Sequence, residues 1–263
     1  MNKLHLDRVR LQNPYAHAEQ IHREEVRQPL RRRPRPLSTS DRAVAAAVAQ
    51  VHRQLWHRRR EFWGDQVPAD AVKLLNVGHA LKLHGYQLSY VADVGQHAGR
   101  GNDLEVAGVI DRDRREVRIS PTLPEAVQRF TAGHELAHAV LHPHAGGIHR
   151  DRPIEGSARS SDPQERAADR FSAFFLVPEK LLAARFLAVF HTEVFELNDL
   201  TRMALGPAAE PFQGKRVPRW ILARTLAGLG RYNGEVFPPL ATQFGVSIST
   251  MAIRLEELGF VAG

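Results

Sequence analysis

The chain contains no cysteine. Disulfides, thiolate ligands and a cysteine nucleophile are excluded, so any metal must be held by His, Asp or Glu. Long apolar runs are missing too. The longest, Ala43 to Ala49, falls well short of the roughly 20 residues that span a bilayer, and the opening "MNKLHLDRVR" lacks the hydrophobic core of a secretion signal. These absences predict a soluble, cytoplasmic protein with no membrane partner. Enough apolar material remains for a core, since 263 residues at 43% hydrophobic suit one large domain or two small ones.

Acidic charge is scarce at one end. Residues 1–60 hold 14 Lys and Arg against 5 Asp and Glu, while the whole chain carries +7, so the remainder is slightly acidic. The basic run "RQPLRRRPRPLSTS", residues 27–40, mixes adjacent arginines with prolines that resist packing. A flexible or extended arm over residues 1–37 is expected, with Arg31, Arg32, Arg33 and Arg35 as candidate contacts to the phosphates of a nucleic acid. A merely solubilising tail is the plainer alternative.

Against this background stands "TAGHELAHAVLH", residues 131–142. Positions four apart on a helix share one face, with Cβ atoms roughly 5 to 6 Å apart, so His134 and His138 can grip one ion. Glu135 between them is placed to act on water, the job of the glutamate in an H-E-x-x-H motif. Apolar neighbours such as Phe130, Leu136 and Leu141 indicate a mostly buried helix, where polar groups need partners and a metal would provide one.

Elements around the motif can be read from periodicity and caps. A helix is expected over Asp41–Arg60 behind Ser38 or Ser40, and a second from about Pro68 to Leu83, ended by Gly85. A strand-like "YQLSYV" follows. Two apolar runs, Ala107–Ile110 and Val117–Ile119, flank a polar turn and predict a β-hairpin that leads into the histidine helix. The segment "SSDPQERAADRFSAFFLVP", residues 160–178, opens with Asp162 as cap and Pro163 at the first helical position. Glu165 and Asp169 again lie four apart. One carboxylate can complete a metal site while the other orients a histidine ligand, unless both form an exposed stripe paired to Arg166 and Arg170.

Together "RFTAGHELAHAVLH", "ERAADRFSAFFLVP" and "LATQFGVSISTMAIRLEELGF" resemble the ImmA/IrrE metallopeptidases in order and spacing, over roughly residues 70–182 and 238–261. The run Phe171 to Pro178 departs from the family's usual ending in packing rather than chemistry, and the stretch 187–236 is longer than expected, reading as a loop plus one helix from Trp220 to Ala227. The resemblance implies an α+β fold: a zincin-like core of a small sheet plus the H-E-x-x-H helix over 38–190, then a helical domain over 191–263 with a helix-turn-helix-like end. It implies Zn²⁺ held by His134, His138 and Glu165, Asp169 orienting a ligand, and Glu135 as the proton carrier of peptide hydrolysis. For the tetrahedral intermediate the sequence does not choose among His142, His144, His149, Tyr86 and Tyr90. The implied substrate is a helix-turn-helix repressor encoded nearby, cut to induce a stress, mobile-element or phage-defence programme. An extended substrate segment is expected to enter a cleft bordered by the Ala107–Ile119 hairpin and bind by strand addition.

A rival function stays open at this level. The C-terminal pattern around Gly245 could make the chain a DNA-binding regulator on a peptidase-like scaffold, with a structural or absent metal. Its second helix offers Arg254 as the one strong donor to bases or phosphates, beside Glu256 and Glu257, which would repel a duplex.

Overall fold

The computed structural model describes residues 31–92, 94, 96–97, 104–142, 148–150, 162–212 and 217–262. Helix α1 (Thr39–His57) starts where Ser38 accepts a hydrogen bond from the Asp41 amide, and it buries Val44, Val48, Val51 and Leu55 at helical spacing. A short α2 (Arg59–Trp63) follows in place of the single helix expected to Arg60. The next expected helix is also divided. Asp70 caps a 3₁₀ turn, Ala71–Leu74, and Asn76 then caps α3 (Val77–Leu83), so two Asx side chains each restart the chain where one helix from Pro68 was anticipated.

The mixed sheet comes next. Strand β1 (Gln87–Tyr90) is followed by a two-stranded ribbon, β2 (Gln96–His97) and β3 (Leu104–Glu105), and then by the hairpin β4 (Gly108–Asp111) and β5 (Glu116–Ile119). The hairpin pairs as its alternation indicated, with Ile110 opposite Val117. Helix α4 (Glu125–Leu141) leads to β6 (Ile148–Arg150), and the order across the sheet is β1-β5-β4-β6. Both hairpin strands are therefore interior. Strand β1 lies parallel to β5 and β6 antiparallel to β4, so both outer sides of the hairpin are already paired within the chain.

Helix α5 (Pro163–Leu176) packs closely along α4, and α1 packs on α5 and touches α4. Beyond α6 (Glu179–Phe190) the region expected to be largely loop holds α7 (Asp199–Leu205), a 3₁₀ turn over Gly206–Phe212, α8 (Arg219–Gly228) and a small hairpin, β7 (Arg231–Tyr232) with β8 (Glu235–Val236). Its turn is Asn233-Gly234, both at positive φ, the strongest short hairpin signal a sequence carries. The chain closes with α9 (Leu240–Phe244), Gly245 in the left-handed region, and α10 (Ile248–Glu257) capped by Ser247. One apolar cluster runs from Val44 through Leu136 and Phe171 to Leu255 and Val261, joining the motif-bearing helices to the C-terminal ones.

Residues 31–37 do not hang free of this body. The Arg32 guanidinium binds Glu179 at 3.1 Å and lies 4.5 Å over the Phe260 ring, and the Arg35 amide donates to the Glu257 carbonyl at 2.8 Å. Contrary to a flexible arm extending to residue 37, this stretch is docked; residues 1–30 lie outside the described residues. Among those described, no helix is long and apolar enough to cross a membrane.

Candidate metal centre

Two helices build the centre. On α4, His134 and His138 lie one turn apart, their rings meeting edge to face with centroids 4.8 Å apart, and both are buried. Glu165, in the first turn of α5, is buried as well. The Asp162 cap sets this helix start by accepting from the Gln164 amide, which leaves Glu165 to face inward. The Nε2 atoms of His134 and His138 lie 3.0 Å apart, and the Glu165 oxygens sit 3.3 Å from the first and 3.4 Å from the second. A tetrahedral ion with bonds of about 2.0 to 2.1 Å separates its ligand atoms by about 3.3 to 3.4 Å. The three side chains thus sit close to the spacing such an ion requires.

Their chemistry fits a cation. Asp169, one turn after Glu165, places Oδ1 3.0 Å from His134 Nδ1. A carboxylate there calls for an N–H on Nδ1, which puts the lone pair of His134 on Nε2, facing Glu165 and His138. Two imidazoles and a carboxylate converging in a buried space form an electron-rich set that a metal ion would satisfy. Asp169 and Glu165 are therefore brought together with the histidines rather than exposed as a stripe. Arg170, expected in that stripe, instead turns away from the centre to Asp41 on α1 and Glu257 on α10.

Glu135 is fully buried beside the histidines. Strand β4 approaches it at Gly108. A Cβ built there would lie 2.5 Å from Thr131 Cγ2, 2.8 Å from Ile119 Cδ1 and 3.4 Å from Glu135 Oε1, so only glycine lets the strand pass this near the helix. Gly133 plays the same part between the helices, where a Cβ would meet Ser172 Oγ at 2.5 Å. That hydroxyl donates to the Phe130 carbonyl at 2.8 Å, tying α5 to α4 one turn before His134. Gly108, Gly133 and Ser172 were not among the residues singled out in the sequence. Gly133 directly before the first histidine, and Ser172 seven residues after Glu165 on the same side of its helix, were the available signals.

Of the five candidates for a second donor, His142 ends α4 half-buried with its ring 5.8 Å from that of His138. Tyr86 is instead a core residue, under the Arg115 guanidinium, and Tyr90 is exposed on β1. His144 lies outside the described residues, as does the side chain of His149.

The C-terminal donor is not available to DNA. Arg254 is 5% exposed; it binds Glu257 at 2.8 Å and the Val177 carbonyl at 3.3 Å, and lies over the Phe174 ring. The outward positions of α10 are Ile248, Ser249 and Ile253. This helix thus turns apolar groups, not cations, to solvent, and Arg129 of α4 packs into the turn at Gly245.

A buried His-His-Glu group on two packed helices, with a small sheet against the first, could hold a metal ion. Residues 90–202, which carry all three of these side chains, match the model of a peptidase family described as the IrrE N-terminal-like domain, which supports the resemblance to the ImmA/IrrE metallopeptidases. No curated protein matches the chain.

Proposed function

We propose that the protein is a zinc-dependent endopeptidase with a zincin-like core, acting in the cytoplasm by limited cuts in a helix-turn-helix repressor encoded nearby. The observation that carries the hydrolytic reading is the spacing of His134, His138 and Glu165 at 3.0 to 3.4 Å, with Glu135 beside them. These three residues would hold the metal. When bound, it supplies Lewis acidity to the scissile carbonyl and makes water a better nucleophile at neutral pH.

The chain's own groups do the rest. Glu135 takes the proton of the attacking water and delivers it to the departing amine, a transfer favoured by its dry surroundings. Asp169 holds His134 in the tautomer whose Nε2 lone pair faces inward. Of the donors considered, His142, with its ring 5.8 Å from that of His138, is the one assigned to the tetrahedral intermediate. With both hairpin strands paired, an extended substrate segment adds beyond the hairpin, along the sheet edge that β6 forms.

The test mixes the purified full chain with the neighbouring repressor, with and without a chelator. A new fragment that disappears with the chelator and is absent with Glu135→Gln supports the assignment. An intact repressor under every condition rejects it as substrate, and a fragment insensitive to chelator rejects the metal.

A further inference from the structure

The basic residues of the first sixty are not equivalent once folded. Arg32 is engaged by Glu179 and Phe260, and the backbone of Arg33 lies against Gly259. The end of α1 is different. Its inner face is apolar, but its outer face, small at Ala46, becomes cationic and aromatic over the last two turns, where Arg53, Trp56 and His57 are exposed and Arg60 follows on α2.

Trp56 is the anomaly. It is 52% exposed on a helix whose packing needs are met by valines and a leucine, so the core gives it no role. Arg59 lies 4.1 Å over its ring and is held there by donating to the Trp56 carbonyl at 2.6 Å. Arg58 is matched by Glu61 through hydrogen bonds of 2.6 to 3.0 Å. Neither Arg53 nor Arg60 has an acidic partner among the described residues. What the surface offers is one flat, polarisable ring with a guanidinium on it, and two further guanidiniums left to solvent.

We propose that this end of α1 and the start of α2 bind single-stranded nucleic acid, a base stacking on the platform of Trp56 and Arg59 while Arg53 and Arg60 meet the flanking phosphates. A base in a single strand presents its π-face to such a ring, and cation–π contact from a stacked arginine strengthens the platform. Duplex bases are already stacked and cannot offer that face. An acidic polypeptide would satisfy the arginines and leave the indole unused. Recognition by a single ring and charge carries no base preference, so binding is sequence-tolerant. The inference is independent of the hydrolytic one and places nucleic-acid contact on the folded body rather than on Arg31 to Arg35.

The experiment is fluorescence anisotropy of the full chain with a labelled short oligothymidylate and with a duplex of equal length, over a salt series. Trp56→Ala should weaken oligothymidylate binding by about tenfold or more, Trp56→Phe should keep most of it, and Trp220→Ala, which removes an exposed tryptophan on α8, should change nothing. The Arg53→Glu, Arg60→Glu double variant should weaken binding and reduce the salt slope by about 0.7 for each phosphate no longer neutralised. All these side chains are exposed, so melting temperatures should match the parent. Unchanged affinity in both Trp56→Ala and the double variant overturns the proposal. So does tighter binding to the duplex, and so does displacement of the oligonucleotide by polyglutamate at lower charge concentration, which would assign an acidic protein instead.

Discussion

Glu165 and Asp169 are both carboxylates one turn apart on α5, yet their surroundings assign them different tasks. Glu165 is buried against both imidazoles, whereas the Asp169 side chain is 42% exposed and touches His134 from its far nitrogen. Glu165→Ala should therefore abolish stoichiometric metal, as should His134→Ala or His138→Ala, because a three-ligand site has no spare donor. Asp169→Ala should keep the metal but weaken its affinity or the activity by about 10- to 100-fold. Glu135→Gln should bind metal as the parent does and lose turnover. Metal content by elemental analysis, with titration of a competing chelator, separates these outcomes, and tight zinc in Glu165→Ala would remove it from the ligand set. The grouping of His134, His138 and Glu165 was legible because helical spacing and a helix cap are local properties. Gly108 and Gly133 were not, since each matters for an atom it lacks toward a partner that only the folded chain brings near.

At the scale of elements, the α4–α5 crossing depends on Gly133 and Ser172. Gly133→Ala should cost about 1 to 3 kcal/mol by overpacking and weaken metal binding as the helices that carry His134, His138 and Glu165 separate. Ser172→Ala in the same chain removes the clashing oxygen, so the double variant should recover part of the metal affinity, measured as a double-mutant cycle. Behind α5, His52 of α1 donates from Nε2 to the Phe175 carbonyl at 3.1 Å, and burial pushes its pKa down to about 4 from an ordinary value near 6.5. Above pH 6.5 both folded and unfolded chains keep it neutral. Between 6.5 and 4 the unfolded chain takes up the proton and the folded one does not, so stability falls by up to roughly 3 kcal/mol across that window and then levels off. Urea unfolding at a series of pH values should show this slope in the parent and lose it in His52→Gln. Element type was largely evident from periodicity, as with the hairpin and α5. Boundaries were not, because Asp70 and Asn76 could equally have been read as exposed helix residues until their side chains were seen capping new turns.

For the whole molecule, charges that looked like surface features serve as internal ties. Arg254→Ala should destabilise the fold by about 2 kcal/mol through removal of charged hydrogen bonds to Glu257 and the Val177 carbonyl, without changing affinity for duplex DNA. Denaturant midpoints and an electrophoretic shift assay read the two effects. Arg32→Ala should cost nearer ~1 kcal/mol, since its ion pair is half in solvent and its contact with Phe260 is the larger part. Sequence pattern could mark these arginines as basic but not as occupied, because their partners lie 147 residues away for Arg32 and in a backbone carbonyl 77 residues away for Arg254.

The close approach of α4 and α5 at Gly133 also makes ion binding and heat resistance two views of one equilibrium. An ion bridging both helices binds the folded chain and not the unfolded one, so at 100 times its dissociation constant it adds about 2.7 kcal/mol to the unfolding free energy. Each metal can then be ranked by the rise in melting temperature it causes, and a ligand variant by the rise it forfeits, before any substrate is in hand.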